Sequence, residues 1–382
     1  MGVGSNRRAY AWRLPERSDH GTLLMRTIDI YIIKKFLGTF FFTLILLIFI
    51  VIVFDISEKI DDFLRHDAPI KAIIFDYYLN FVPYFINLFS YLLTFIAVIF
   101  FTSRMASDSE IIAILSSGIS FRRMMFPYFI SAVALGVFSF FLANFIIPYT
   151  NRSMLAFEKK YINDPKEFSD QNIHKQVSPG TFIYLENYNT RTNAGWKFSL
   201  EKFEKKELVY KLKAERIEWD SLRLRWKISN YYVRHIREMS ESIKKGAKLD
   251  TLLPFIPADF TEDIEDVKIM NYFVLRAHIK EKELRGDPDV IKYKVKKYER
   301  IAFPFATLIL TVIGVAVSSR KVRGGIGFHL GLGLALTFIY ILFMQIFTVF
   351  ATFGDLPPLI AVWVPNIIFG FIAFFLFRIA PK

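Results

Sequence analysis

The sequence predicts a polytopic α-helical membrane protein: six transmembrane helices, with a β-rich domain inserted between the third and the fourth. Three observations predict it. The 382 residues are 53% hydrophobic and 17% aromatic, with 42 Phe, which is too apolar for an ordinary soluble chain of this length. The excess lies in runs near the roughly 20 residues needed to cross about 30 Å of hydrocarbon. A polar stretch of roughly 150 residues separates these runs into two sets and is long enough to fold as a domain.

Residues Met1 to Leu24 carry four Arg and no helical period. They read as a cytoplasmic tail or, since Met25 opens a new segment, as sequence that is not translated. Residues 25–147 hold the first three spans. The run from Phe36 to Phe54 ends in Asp55-Ile56-Ser57 without a small-residue cleavage site, so it is a membrane helix and not a signal peptide. Further spans are predicted at Phe81 to Phe101 and Met124 to Ile147, then within residues 299–382 at Ile301 to Val317, Phe328 to Phe350 and Leu359 to Phe377. Pro83, Pro304 and Pro365 mark kinks whose freed carbonyls neighbouring helices satisfy.

Orientation follows from the short loops. Arg104, Arg122 and Arg123 follow the second span, and Arg320, Lys321 and Arg323 follow the fourth, so these loops are cytoplasmic. The loop from Ser57 to Pro69 has only Lys59 and Arg65 as cations, and Thr352 to Pro358 has none. Six crossings then place both termini in the cytoplasm and the insert, residues 148–298, outside it.

The first half of the insert reads as strands at Thr181 to Leu185, Trp196 to Phe203, Leu208 to Leu212, Ala214 to Trp219, Arg225 to Ile228 and Tyr231 to Ile236. Pro179-Gly180, Asn193-Ala194-Gly195 and Asp220-Ser221 supply turns at the spacing of a β-sandwich or barrel. The second half changes to a helical stripe of Met270, Phe273, Val274 and Ala277. After the break at Gly286-Asp287-Pro288, Asp287 caps and Pro288 starts a helix. That helix carries Tyr293, Lys296, Lys297 and Arg300 without interruption toward Pro304, a rigid link between the outer domain and the fourth span.

Several function classes find no support. The formal net charge of +13 accompanies no nucleic-acid motif, and the chain has no Cys, which excludes disulfides and thiol chemistry. The six His are scattered without ligand spacing. Asp61-Asp62 with Asp67 reads as a solvated acidic loop, against a weak metal or prenyl-diphosphate alternative. No G-x-x-x-x-G-K-[ST] loop occurs, so energy for any uphill work comes from a partner, acids suited to a proton relay being scarce in the spans. No catalytic constellation and no cofactor of this chain's own is expected.

The stretch from Ser107 to Ser120 in the loop after the second span reads as a short amphipathic helix. Ser107 and Glu110 have capping-box spacing, Ile111, Ile112 and Leu115 form an apolar patch, and Gly118 is a natural stop. Such a helix either docks into a groove on another protein or lies on lipid headgroups. Gly327 and Gly331, with Gly333 and Gly324-Gly325 nearby, permit close helix approach within the chain, a moving lateral gate being the alternative. Thr337, Tyr340 and Gln345 place polar groups in the same span.

These residues also carry a family resemblance. Ile28-Asp29-Ile30-Tyr31-Ile32, Ser109-Glu110 through Gly118-Ile119-Ser120 and Pro179-Gly180-Thr181-Phe182-Ile183-Tyr184 are followed by Arg300 to Phe305 and Gly314 to Ser319. Then come Arg320-Lys321-Val322-Arg323-Gly324-Gly325-Ile326-Gly327 and Pro357-Pro358 to Trp363-Val364-Pro365-Asn366. In this order, and over essentially everything after Met25, the chain resembles the lipopolysaccharide export permeases of the LptF/LptG type. The resemblance implies a bacterial inner-membrane transport subunit with a periplasmic β-jellyroll. It pairs with a paralogous permease on a cytoplasmic ABC ATPase dimer, which binds the ATP and magnesium, and passes lipopolysaccharide to a periplasmic bridge protein.

Under that resemblance the helix near residues 107–118 is a coupling helix, with Glu110 in the ATPase groove beside Ile111, Leu115 and Gly118. The first and fifth spans frame a lateral gate and lipid cavity, for which Phe49, Lys59, Arg65, Gly331, Tyr340 and Gln345 are the candidate contacts. One departure concerns the outer end of the first span, where some relatives carry cations and this chain has Asp55, Glu58, Asp61 and Asp62. Only Lys59 and Arg65 remain there for a lipid phosphate. The alternative function is an ABC-type mechanotransmitter that drives a periplasmic process without carrying lipid.

Overall fold

The computed structural model describes residues 27–162, 169–205, 207–237, 240–261, 264–287, 289–322 and 324–380. The expectations for residues 1–24, Pro288 and Arg323 lie outside the described residues. Among the described residues, six helical stretches are long and apolar enough to cross a membrane: Thr27–Arg65, Ile70–Ser107, Phe121–Tyr161, Val290–Ser318, Gly325–Phe353 and Pro358–Ile379. The chain is a multi-pass membrane protein with a separate antiparallel sheet.

The first span is one helix, α1 (Thr27–Arg65). A narrow stripe of it, Asp29, Ile32, Phe36, Phe40 and Leu44, is buried inside the chain, with Phe63 near its end. Residues four apart share a helix face, and this face packs on α3 (Leu79–Ser107) and α5 (Phe121–Phe141), where Phe36, Phe101 and Tyr128 stack. The second span begins with α2 (Ile70–Ala72) and a π-helical turn (Ile73–Tyr78) before α3. α4 (Glu110–Ser116) separates the second span from the third. The third comprises α5, a second π-helical turn (Leu142–Ile146) and α6 (Ile147–Tyr161), so it runs well past the predicted end at Ile147.

The sheet follows, as β1 (Ser169–Ser178), β2 (Thr181–Asn189), β3 (Ala194–Glu204), β4 (Glu207–Asp220), β5 (Arg225–Arg237) and β6 (Ser240–Thr251). Every pair is antiparallel and strands adjacent in sequence are adjacent in space, an order of β1-β2-β3-β4-β5-β6. This is a meander; the long return connections of a Greek key do not occur among the described strands. The predicted pairs of short strands fuse into β4 and β5, because Lys213 continues its ladder against Tyr232, and Asn230, at φ 50°, kinks β5 without ending it. Gly180 turns the β1–β2 hairpin at φ 70°, where a Cβ would meet the Phe203 carbonyl oxygen at 2.6 Å. The buried face carries Ile183, Leu185, Phe198, Leu200, Leu212 and Trp226, and the indole of Trp226 donates to the Phe255 carbonyl at 2.9 Å. Phe255 and Phe260, in and before α7 (Ala258–Thr261), cover that face.

A 3₁₀ turn (Ile264–Ile269) and α8 (Tyr272–Arg285) lead back toward the membrane. Asn271 caps α8 by accepting from the Val274 amide at 2.9 Å, and Gly286 ends it at φ 73°. The buried face of α8 is Leu275, Ile279 and Lys282, whereas Phe273, Val274 and Ala277 are exposed. The predicted stripe therefore sits on the wrong face: packing on Tyr293 and Val267 selects the other side of a weakly amphipathic helix. Lys282 and Asp287 form a buried ion pair at 2.9 Å. Burial pushes the Asp287 carboxyl up, but the Lys282 ammonium and the Asp289 amide outweigh it and hold the group below its usual range. α9 (Val290–Ser318) then runs unbroken from this junction through the membrane, followed by α10 (Gly325–Phe353) and α11 (Pro358–Ile379).

The Ile264–Met270 segment is strapped to the helices on both sides. Arg300 donates to the Met270 and Val267 carbonyls at 2.8 and 2.7 Å. Asn151 donates to the Lys268 carbonyl and Arg152 to that of Ile269. These bonds fix the segment between α7 and α8 to the third and fourth spans.

Candidate functional site

The end of the bundle opposite the sheet gathers α4, the start of α1 and the start of α5. α3 continues to Ser107, so Ser107 closes that helix and forms no capping box with Glu110; the predicted cap is corrected by the length of α3. Asp108 and Ser109, the latter left-handed at φ 61°, turn the chain instead, and Glu110 opens α4. Its carboxylate accepts from the Tyr31 hydroxyl of α1 at 2.8 Å. Ile111 is buried and Leu115 packs on the same core, while Ile112 is exposed. The predicted apolar patch thus divides, one side anchoring α4 to α3 and α5, the other facing outward. Gly118 ends the segment at φ 84° with open space where a Cβ would stand.

Beneath α4, Arg123 grips Asp29 with both terminal nitrogens at 2.7 and 2.6 Å. Asp29 is fully buried, so the fork-shaped guanidinium neutralises a charge that burial alone would make costly. Sequence reasoning counted Arg123 only toward loop orientation. The available signal was a lone Asp in the apolar opening of the first helix. Lys321 reaches the Ser107 carbonyl at 3.2 Å, and Ser103 bonds the buried His329 Nδ1 at 2.8 Å, tying α10 and its preceding loop to the same end.

At the sheet-side end, Lys59 pairs with Asp55 at 3.0 Å, lies 3.8 Å from Glu158, and donates to the Tyr77 hydroxyl. Tyr77 and Tyr78 also donate to Asp55, at 3.2 and 3.0 Å. Phe63, Phe81 and Phe157 enclose the cluster. The acidic end noted in the sequence is partly a knot joining the first three spans; the i,i+4 spacing of Asp55 and Lys59 and the Tyr77-Tyr78 pair were its visible signs. Arg65 lies at the last residue of α1 with its head largely exposed, 3.8 Å from Asp62.

Of the remaining candidates, Phe49, Gly331 and Gln345 lie on exposed sides of α1 and α10 and Tyr340 lies inside. Phe49 is 68% exposed, and Gly331 and Gln345 are exposed. A Cβ placed on Gly327 or Gly331 would find nothing within 4 Å, whereas at Gly333 it would come 2.3 Å from Ile99. Close approach within the chain therefore occurs at Gly333 and not at the predicted pair. Tyr340 is fully buried and its hydroxyl donates to Asn366 Oδ1 at 2.9 Å, while Asn366 donates to the Ala302 carbonyl at 3.0 Å. Among the described residues, no three His, Asp or Glu side chains converge to hold a metal ion.

The spans differ in how far the chain covers them. In the most apolar stretch of each, 17% of α1 and 22% of α10 is buried, against 50% for the second and third spans and 56% for α9. The family model described as "Lipopolysaccharide export system permease LptF/LptG" matches residues 30–379. No curated protein matches the chain.

Proposed function

Because the chain belongs to the LptF/LptG family of lipopolysaccharide export system permeases, we propose that it is the transmembrane subunit of an ABC transporter. In this reading it extracts lipopolysaccharide from the bacterial inner membrane and passes it to a periplasmic bridge protein. A separate cytoplasmic ATPase dimer hydrolyses ATP, and a paralogous permease completes the membrane unit. The end bearing α4 faces the cytoplasm with both termini, and the sheet, in the role the resemblance gives a jellyroll, lies in the periplasm.

One observation carries the reading beyond family membership. The two least covered spans, α1 and α10, are the first and fifth, those to which the resemblance assigns the gate and lipid cavity. Lipid tails are as apolar as Leu, so bare faces alone do not drive association; small residues such as Gly331 on such a face are what permit close helix approach. Phe49, Gly331 and Gln345 lie on those faces and Arg65 stands beside them with an exposed cation. Lys59 and Tyr340 act behind them, by holding α1 and α10 to the rest of the bundle.

Purification of the tagged chain in mild detergent tests the partners. The native sequence is expected to retain a phosphate-loop ATPase and a second permease, and Glu110→Lys to lose the ATPase while keeping the permease. Folded native protein that retains neither would overturn the assignment. A photoreactive residue at Phe49 or Gln345 is expected to capture lipopolysaccharide; a mechanotransmitter would give no adduct.

A further inference from the structure

A cavity of about 350 Å³ lies at the sheet-side end of the helices, between α3, the end of the third span, α9 and the Ile264–Ile269 turn. Of the residues discussed above as coupling or gate contacts, only Gln345 lines it. Its wall is rich in donors and poor in acceptors. Lys296 and Arg300 line it with a single carboxylate, Glu299, which is engaged by Lys296 at 3.0 Å, and Lys268, which also lines it, has a partner within the chain. Arg300 is half-buried and spends its terminal nitrogens on two backbone carbonyls, and no carboxylate of the described residues lies within ion-pair distance of it.

The neutral groups have the same polarity. Ser139 donates to Asn87 Oδ1 at 2.7 Å, which turns the Asn87 amide nitrogen into the group the wall can offer. The Tyr84 and Tyr91 hydroxyls make no hydrogen bond among the described residues, and the Lys268 ammonium sits 5.3 Å from the centre of the Tyr84 ring. A guanidinium such as that of Arg300, drawn out of water without a matching anion, is costly, and a phosphate supplies both the charge and several acceptor oxygens. Apolar wall is present too, in Phe303 and Pro304, and Leu88, a lining residue within the second span, is exposed. A ligand entering past Leu88 comes from hydrocarbon.

We propose that this cavity binds the phosphate-bearing headgroup of a membrane lipid from the leaflet on the sheet side. Arg300 and Lys296 meet the phosphate, the tyrosine hydroxyls and Asn87 add donors, and the first carbons of the tails rest on Phe303 and Pro304. The site requires only that the six spans lie in a bilayer, so it stands apart from the export reading. Exported cargo and resident phospholipid share the phosphate chemistry, and the experiment separates them.

The purified full chain is titrated with phosphatidylglycerol, a phosphorylated lipid A, diacylglycerol and inorganic phosphate, and binding is read by native mass spectrometry. Both phosphate lipids are expected to bind and diacylglycerol not. Preference for lipid A marks the site as one for cargo, and preference for phosphatidylglycerol as one for resident lipid. Lys296→Gln with Tyr84→Phe is expected to weaken binding about tenfold, the worth of one charge-assisted hydrogen bond, measured on folded, monodisperse protein. Equal binding of diacylglycerol, unchanged affinity in that variant, or displacement of the lipids by millimolar inorganic phosphate would each overturn the proposal. Retention of the ATPase is scored separately, so failure of this site leaves the export assignment standing.

Discussion

The Tyr31 hydroxyl donates to Glu110 Oε2 at 2.8 Å, so the first membrane helix holds the carboxylate with which α4 opens, across 79 positions of sequence. A carboxylate accepts several bonds, and Glu110 has capacity left for a cation from a docked protein while Tyr31 stays in place. Tyr31→Phe is therefore expected to leave ATPase co-purification intact and to lower lipid release by up to about tenfold. Measuring both in reconstituted vesicles checks it: full release in the variant would make the bond a passive contact.

The Asp29–Arg123 fork predicts a stability effect with a built-in control. Arg123→Ala takes both guanidinium bonds from the buried Asp29 and is expected to cost about 1.5–3 kcal/mol, read as an early thermal transition in detergent. Adding Asp29→Asn is expected to recover most of that loss. If the single variant melts with the parent, the buried pair contributes nothing.

At the other end of the bundle, Lys59→Ala is expected to lower the melting temperature, because Asp55 and Glu158 then lose the ammonium that pairs with Asp55 and lies 3.8 Å from Glu158. It is not expected to change affinity for phosphate lipids, since the ammonium is enclosed by this chain's own acids and tyrosines. Arg65→Ala is expected to do the reverse. Lipid titration and a thermal scan of the two variants side by side decide between contact and framework roles.

Glycines on α10 should separate by face. Gly333→Val meets Ile99 and is expected to destabilise the chain, whereas Gly331→Leu meets open space and is expected to leave its melting unchanged. Crosslinking between permeases should respond in the opposite way, impaired by Gly331→Leu if that face adjoins a second helix.

The Lys282–Asp287 pair gives a pH dependence with a defined sign. The folded carboxyl lies below its usual range, so its contribution is complete above about pH 4 and disappears as pH falls through the folded value. The native junction is expected to loosen on acidification in that window, and Asp287→Asn to be weaker at neutral pH and flatter below pH 4. Hydrogen exchange of α8 amides across that range reports it.

Much of this architecture was legible because hydrocarbon imposes a simple rule, long apolar runs. All six spans were found, although their polar ends were not: α1 continues through Asp55, Lys59 and Asp62 to Arg65, and the third span reaches Tyr161. The sheet was half legible. β2 to β5 alternate apolar and polar residues, but β1 and β6 are edges rich in Lys, Gln and Ser, a composition that suits unpaired strands and hides them. At the candidate site, Glu110 and Gly118 were visible through their spacing. The Tyr31 partner of Glu110, 79 positions away, and the Asp29–Arg123 fork, 94 positions apart, were not, since only tertiary contact brings these residues together.

α9 gives the molecule a lever. Its 29 residues form one uninterrupted helix, about 43 Å long at 1.5 Å per residue. α3, α5 and α11 pack along it, and Arg300 bolts its sheet-side portion to the Ile264–Met270 segment. Rotation by about 10° carries one end of a rod this long some 7 Å relative to the other. A small tilt at the α4 end is expected to reach the Ile264–Met270 segment, to which Arg300 ties the helix.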